Sequence, residues 1–261
     1  MKKEYSRFEA STVFEGIVSL RALIEVMTKE NKRNDRKIIK VLYDNERAKK
    51  EKKELSWLRH RAEELGFEIE LTEREAIDEI SVGNTHGGIV AFCSERKLLM
   101  IDEGLVIDSG FYVMLDGIED PYNFGYALRS LYAAGADGII LGQRNWMSAA
   151  GVVCRASAGA SELLDIYVSD SPEDAVKFMK SRGYTVVSAN IENSISLYEC
   201  SLKRPLLTVI GGEKRGISRS VLSLSDSIVR IDYGRDFGAS LSAASAATVL
   251  GFEVYRQSTL K

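Results

Sequence analysis

Residues 110–142, GFYVMLDGIEDPYNFGYALRSLYAAGADGIILG, set the frame for the rest of the chain. FYVMLDG is an unbroken apolar run that stops at an acid and a glycine, the pattern of a strand buried on both faces. Phe124 to Ala134 repeats apolar residues at helical spacing and is closed by Gly135, and DGIILG is a second buried strand. A strand, a helix and a strand of these lengths form a parallel βαβ unit. The turn after its first strand, DGIEDPYNFG, is polar and contains glycine, and in an open parallel sheet that edge is where ligands bind.

The same alternation continues downstream. Ser171, Pro172 and Asp174 read as a helix start, with a hydroxyl cap, proline at the first position and a carboxylate in the first turn. That helix ends at Gly183. Strand YTVVSANI, strand PLLTVIGG, a short helix near Ser218 to Leu224, strand SIVRID and a last helix from about Ser240 to Gln257 follow. Upstream, a helix over Gly16 to Glu30 precedes strand KIIKVLYD. A long helix over 46–65 closed by Gly66, strand FEIELT, short helix EREAIDEI and strand GGIVAFCSE come next. The reading is therefore α/β: a smaller α/β/α sandwich over residues 1–103, then a mostly parallel sheet with helices on both faces over 104–261.

Composition agrees with a folded chain. Of 261 residues, 45% are hydrophobic and 28% charged, which excludes disorder. Cys93, Cys154 and Cys200 are widely spaced, and His60 and His86 are the only histidines, so neither a disulfide framework nor a metal centre is expected. MKKEYSRFEA lacks the apolar core of a signal peptide, and no apolar run approaches the ~20 residues of a membrane span, so the expected location is the cytoplasm.

The net charge of −3 conceals a local excess. Residues 31–61 hold twelve Lys and Arg against five Asp and Glu. Lys49, Lys50, Lys52 and Lys53 lie within five residues, with Arg36 and Lys37 upstream. Glu46 with Lys50 and Lys50 with Glu54 fit helical pairing, so a solvated helix face is one reading. Pairing cannot neutralise every cation, and unpaired lysines are what a phosphate backbone requires, so nucleic-acid binding is the other.

The common cofactor loops are absent. Gly211 and Gly216 have phosphate-loop spacing, but Ile217 stands where that loop needs lysine; GxSxG fails at Ser242; no GxGxxG follows a strand. What remains are three polar stretches at strand ends: DGIEDPYNFGYALRS, VIGGEKRGIS and IDYGRDFGASLSAASAA. In the first, Asn123 and Gly125 precede Arg129, which also fits an arginine paired with a local carboxylate. In the second, Gly211 and Gly212 leave the backbone open to a ligand beside Glu213.

Taken together, the three stretches resemble the motifs of the SpoU/TrmH-type branch of the SPOUT RNA methyltransferases. Asn123, Gly125 and Arg129 resemble its Asn-x-Gly-x-x-x-Arg, and Ser157 to Ala160 its Ser-Ala-Gly-Ala. Gly211, Gly212 and Glu213 resemble its Gly-x-Glu turn, and Ser240 and Leu241 its Ser-Leu-Asn helix start. The segment ending NTHGGIVAF resembles the substrate-binding domain that often precedes it. The resemblance implies a C-terminal trefoil knot, a homodimer and S-adenosylmethionine as methyl donor. Gly211, Gly212, Ile231, Ser240 and Leu241 would hold the donor, and Arg129, with Asn123, Glu213 and Ser242, would serve transfer to a ribose 2′-hydroxyl of RNA, ribosomal rather than transfer.

Two departures stand out. Ser242 occupies the place of the family's Asn, and IDY stands where Ile-Pro-Met is frequent. Ser242 also admits a second reading, a dimeric RNA-binding protein that keeps the fold with impaired catalysis.

Overall fold

The computed structural model describes residues 12–29, 33–83, 85–101, 107–118, 120–142, 149–212 and 214–259. In chain order, the first elements are β1 (Val13–Glu15), α1 (Gly16–Thr28), β2 (Ile38–Asp44), α2 (Asn45–Lys50), α3 (Lys52–Leu65), β3 (Glu68–Thr72), α4 (Arg74–Asp78), β4 (Ile89–Cys93) and β5 (Leu99–Met100). There follow β6 (Phe111–Asp116), α5 (Pro121–Ala133), β7 (Gly138–Leu141), α6 (Ala150–Ala156), α7 (Ala160–Leu163) and β8 (Asp165–Val168). The last are α8 (Pro172–Ser181), β9 (Thr185–Ala189), β10 (Ile195–Ser196), β11 (Leu206–Gly211), α9 (Arg219–Leu224), β12 (Ser227–Arg230) and α10 (Ala243–Thr259).

The chain divides into two compact units, Met1–Lys97 with Trp146–Leu163, and Leu98–Asn145 with Leu164–Lys261. A single cut near residue 103 does not describe this division, because the segment holding α6 and α7 belongs with the first unit. Glycines explain the close fit. A Cβ on Gly151 would lie 2.0 Å from the Val13 carbonyl oxygen, and one on Gly159 2.4 Å from the Ala22 Cβ. Charge completes it: Arg155 meets Glu15 at 2.5 Å, and the buried Glu162 accepts from Asn34 at 2.9 Å and from Arg36 at 3.1 Å.

The first unit is a four-stranded sheet in the order β1-β4-β2-β3, antiparallel except for the β2–β3 pair. Side chains alternate across it as the strand period requires. Phe14, Val41, Tyr43 and Ala91 face a core with Leu23 of α1 and Leu58 of α3, while Val13, Leu42, Val90 and Phe92 pack with Ile77 of α4. Both faces are thus covered, as expected of the sandwich.

The helix expected over 46–65 is two helices. Glu51, at φ −102° and ψ 51°, leaves helical geometry and ends α2. Lys49 and Lys50 therefore close one helix, where the dipole favours cations, and Lys52 and Lys53 open the next. The break also changes the pairing expected from spacing: Glu46 meets Lys49 and Glu54 meets Arg47.

The second unit is an eight-stranded sheet in the order β10-β12-β9-β11-β6-β7-β8-β5, and every recorded pair is parallel. Phe111–Leu115 and Leu206–Ile210 are buried throughout, the signature of central strands covered on both faces. Successive strands run outward from β6 through β7 to β8, and the chain then returns to build β9, β11 and β12 on the other side. The strand order reverses between β6 and β11, and such a switch point opens a crevice beyond the carboxyl ends of the strands.

Candidate functional site

The carboxyl ends of β6 and β11 pass unusually close. The Gly212 amide donates to the Asp116 carbonyl at 2.6 Å, and a Cβ on Gly212 would lie 1.9 Å from the Gly117 carbonyl oxygen. A Cβ on Gly211 would sit 2.5 Å from Gly216, whose amide closes the turn onto the Gly212 carbonyl at 2.9 Å. Read from sequence, these glycines open the backbone to a ligand; the structure shows that each is first required by neighbouring backbone. At the same edge, burial, reinforced by the charge of Glu173, raises the Asp116 carboxyl above its ordinary range.

Beside this turn lies a cavity of about 230 Å³ over the ends of β9, β11 and β12. Gly211, Gly212, Ile231, Ser240 and Leu241 all line it. Sequence reasoning missed Asn190, Ile191 and Tyr233, which also line it. The first two end the strand YTVVSANI, so the rule placing ligands at strand ends would have found them. Tyr233 lies in the stretch IDYGRDFGASLSAASAA at the end of another strand, so the same rule reaches it, but its bond to Leu241 is made only in the fold.

The chemistry of the lining restricts what fits. Apolar walls come from Ile191, Ile210, Val229, Ile231, Leu241 and three alanines; polar groups come from Asn190, Ser240, Tyr233 and glycine backbone. No charged side chain among the described residues lines the cavity, so it suits a neutral, flat nucleoside and offers nothing to a phosphate chain. A second cavity of about 400 Å³ adjoins it, sharing Ile191, Ile231, Tyr233 and Ser240.

Of the residues assigned to transfer, Asn123, Arg129 and Ser242 lie outside that lining. Asp120 caps α5, its carboxylate accepting from the amides of Tyr122 at 2.6 Å and Asn123 at 3.2 Å, and Pro121 fills the first position. This cap starts α5 earlier than the sequence spacing suggests and sets Asn123 in its first turn. Arg129 lies further along the helix and is exposed, whereas Phe124, Ala127, Leu128 and Leu131 are buried. Ser130 ties α5 to Thr248 of α10 at 2.7 Å. Glu213 lies outside the described residues.

Ser242 has a definite local task. Its Oγ accepts the Ser245 amide at 3.2 Å and its carbonyl accepts the Ala246 amide at 2.9 Å, so it caps the start of α10. Serine and asparagine are about equally good at that position, which accounts for the exchange in terms of helix stability.

On the first unit, Lys37, Lys49, Lys50, Lys52 and Lys53 are exposed. Arg36 is not: it is 1% exposed, stacked 4.7 Å from the Phe14 ring and bonded to Glu162 and to the Ser94 carbonyl. Its assignment to RNA binding is corrected, because a buried, paired guanidinium cannot meet a phosphate. Among the described residues no cluster of His, Cys, Asp and Glu could hold a metal ion.

Comparison with known proteins agrees with this layout. Residues 110–252 match the SpoU rRNA methylase family, and residues 28–99 match the RNA 2′-O ribose methyltransferase substrate-binding domain. The 23S rRNA (guanosine-2′-O-)-methyltransferase RlmB of Shewanella oneidensis is 31% identical over 212 residues, covering 80% of this chain and 86% of its own. The Bordetella pertussis protein of the same name is 28% identical over 215 residues, covering 80% and 86%. The AdoMet-bound rRNA methyltransferase from Sinorhizobium meliloti superposes with a TM-score of 0.77 at 22% identity, covering 100% of this chain and 92% of its own. The AviRb methyltransferase of Streptomyces viridochromogenes, in complex with AdoMet, gives a TM-score of 0.76 at 22% identity, covering 99% and 94%. Since the methylase match alone spans more than half of its residues, the chain belongs to the SpoU rRNA methylase family.

Proposed function

We propose that this protein transfers a methyl group from S-adenosylmethionine to a ribose 2′-hydroxyl of ribosomal RNA. One observation carries the reading: five residues from two of the three stretches converge on a cavity with no charged lining among the described residues, at the carboxyl edge of the parallel sheet. The family match and the RlmB relatives support the RNA substrate and favour ribosomal over transfer RNA. In this reading the second unit, Leu98–Asn145 with Leu164–Lys261, carries the chemistry, with a trefoil knot around the donor, and the first unit holds RNA through Lys37, Lys49, Lys50, Lys52 and Lys53.

The donor supplies a methyl carbon on a positively charged sulfur; transfer breaks that carbon–sulfur bond, forms the ether at O2′ and releases the hydroxyl proton. The protein's task is alignment and charge. Gly211, Gly212, Ile231, Ser240 and Leu241 bind the nucleoside part through backbone and apolar contact. Arg129 stabilises the oxygen as it gains negative charge, and its planar fork can also grip a phosphate. Asn123 and Glu213 position this arrangement, and Ser242 starts the helix behind Leu241.

Self-association is part of the proposal. Tyr122, Tyr126 and Tyr132 on α5 and Phe252 and Tyr255 on α10 are large, exposed aromatics on two helices that pack together. Such a patch calls for a partner, and a second copy of the chain would cover it. No helix among the described residues is long and apolar enough to cross a membrane. We place the enzyme in the cytoplasm with its RNA.

Arg129→Ala tests the reading. It should lower methyl transfer by about 100- to 1,000-fold, the usual loss when one charge-stabilising group is removed, while calorimetric affinity for S-adenosylmethionine stays within a few-fold. Undiminished turnover in a radiolabelled-methyl assay would remove Arg129 from the chemistry.

A further inference from the structure

The connection from β12 to α10 supplies three of the five donor contacts, Ile231, Ser240 and Leu241, yet residues 232–240 are exposed throughout. A loop of that kind holds its shape only if something opposes its conformational entropy. Two side chains do so. The Leu241 amide donates to the Tyr233 hydroxyl at 3.0 Å, closing the loop on itself across eight residues. Asp232 accepts from Arg230 at 2.9 Å and from the Ser196 hydroxyl, fastening the loop's first residue to β10.

The Tyr233 ring does a second job. It lines both cavities, standing in the wall they share, and meets Phe237 edge to face at 6.0 Å between ring centres. Asp232 and Tyr233 thus hold the loop by side-chain bonds.

We propose that Tyr233 is a positioning residue for the methyl donor: its hydroxyl fixes Leu241, and its ring forms the wall against which the nucleoside part is held. The proposal rests on the reading of the 230 Å³ cavity as the donor site. The hydroxyl bond is one hydrogen bond to a backbone amide, so its loss should be felt as a modest change in affinity and nowhere else.

The decisive variant is Tyr233→Phe, which keeps the ring and deletes the bond. Calorimetry with S-adenosylmethionine should show affinity weakened by roughly 3- to 10-fold, the range for one lost hydrogen bond. KM for the donor should rise in parallel, while kcat at saturating donor and KM for RNA remain within about twofold, a split that general loosening of the fold would not give. Donor affinity equal to or tighter than that of the parent chain overturns the proposal. Leu241→Asp separates this from failure of the site itself. Loss of donor binding in Leu241→Asp with none in Tyr233→Phe rejects Tyr233 alone, whereas parent-like donor binding in Leu241→Asp rejects the cavity as the donor site and the Tyr233 proposal with it.

Discussion

Two ends of one basic segment, Asn34–Lys37 and Arg47–Lys53, look alike in sequence and are used in opposite ways. At the first, Arg36 is folded inward onto Phe14 and closes a buried ion pair with Glu162, leaving only Lys37 outside. At the second, Arg47 turns inward to Glu54, and the break at Glu51 presents Lys49, Lys50, Lys52 and Lys53 outward from two successive helix ends. Of these four, Lys49 is engaged by Glu46 at 2.5 Å; this bond lowers the Glu46 carboxyl and raises the Lys49 ammonium from their ordinary values. Local charge density therefore marks a segment, and the available carboxylates decide which of its cations hold the fold and which stay at the surface.

The sharpest test of that division is Arg36→Met. Removing one partner of a buried ion pair leaves the Glu162 charge uncompensated, and the expected loss is about 3–5 kcal/mol of unfolding free energy. Lys37→Gln, one residue away on the exposed side, should change stability by less than about 0.5 kcal/mol. Chemical denaturation of both variants measures the difference. Equal midpoints would mean that the two cations are interchangeable and would dissolve the comparison at its first end.

The second end is tested by replacing Lys49, Lys50, Lys52 and Lys53 together with Gln. RNA affinity should fall about tenfold or more, and the slope of log affinity against log salt should flatten by about two to three units, since each phosphate contact on a single strand contributes roughly 0.7. Affinity for S-adenosylmethionine should not change, because none of these lysines lines the cavity proposed for it. A salt slope identical to that of the parent would return the corner to a solvated face.

The sequence exposes the central strands and hides the long-range pairs. Phe111–Leu115 and Leu206–Ile210 are legible because a parallel strand covered on both faces has to be apolar at every position. That a cavity opens at the ends of such strands is legible for the same reason, and the resemblance pointed to five residues that line it. The break at Glu51 is not, since Lys and Glu are good helix formers on either side of it. Arg36 could not be told from its neighbours because its partner lies 126 residues away. RASAGASELL carried a recognisable motif, but that Gly159 makes room for Ala22, and so joins this segment to the first unit, has no local sign. The two-residue edge strands β5 and β10 are too short to show a period.

The smallest effect concerns what holds the lysine corner in place. Tyr43 of β2 donates to Glu54 at 2.7 Å, and Arg47 grips the same carboxylate at 2.8 Å and 3.0 Å. Burial alone would raise the Glu54 carboxyl, but these bonds outweigh it and hold it below its usual 4.5. Burial first, and the Glu54 carboxylate second, push the Tyr43 hydroxyl from 10.0 up to about 12. The signs are opposite. A lowered carboxyl gives stability that is present above pH 4.5 and drains away as the pH falls through its folded value; a raised hydroxyl gives stability that is present below pH 10.0 and is lost as the pH climbs towards about 12. Urea midpoints measured across pH should therefore show a flatter acid limb in Glu54→Gln and a flatter alkaline limb in Tyr43→Phe. If both curves overlay the parent, the inward turn of Arg47 and Glu54 contributes nothing to the corner, and its outward lysines owe their orientation to the break at Glu51 alone.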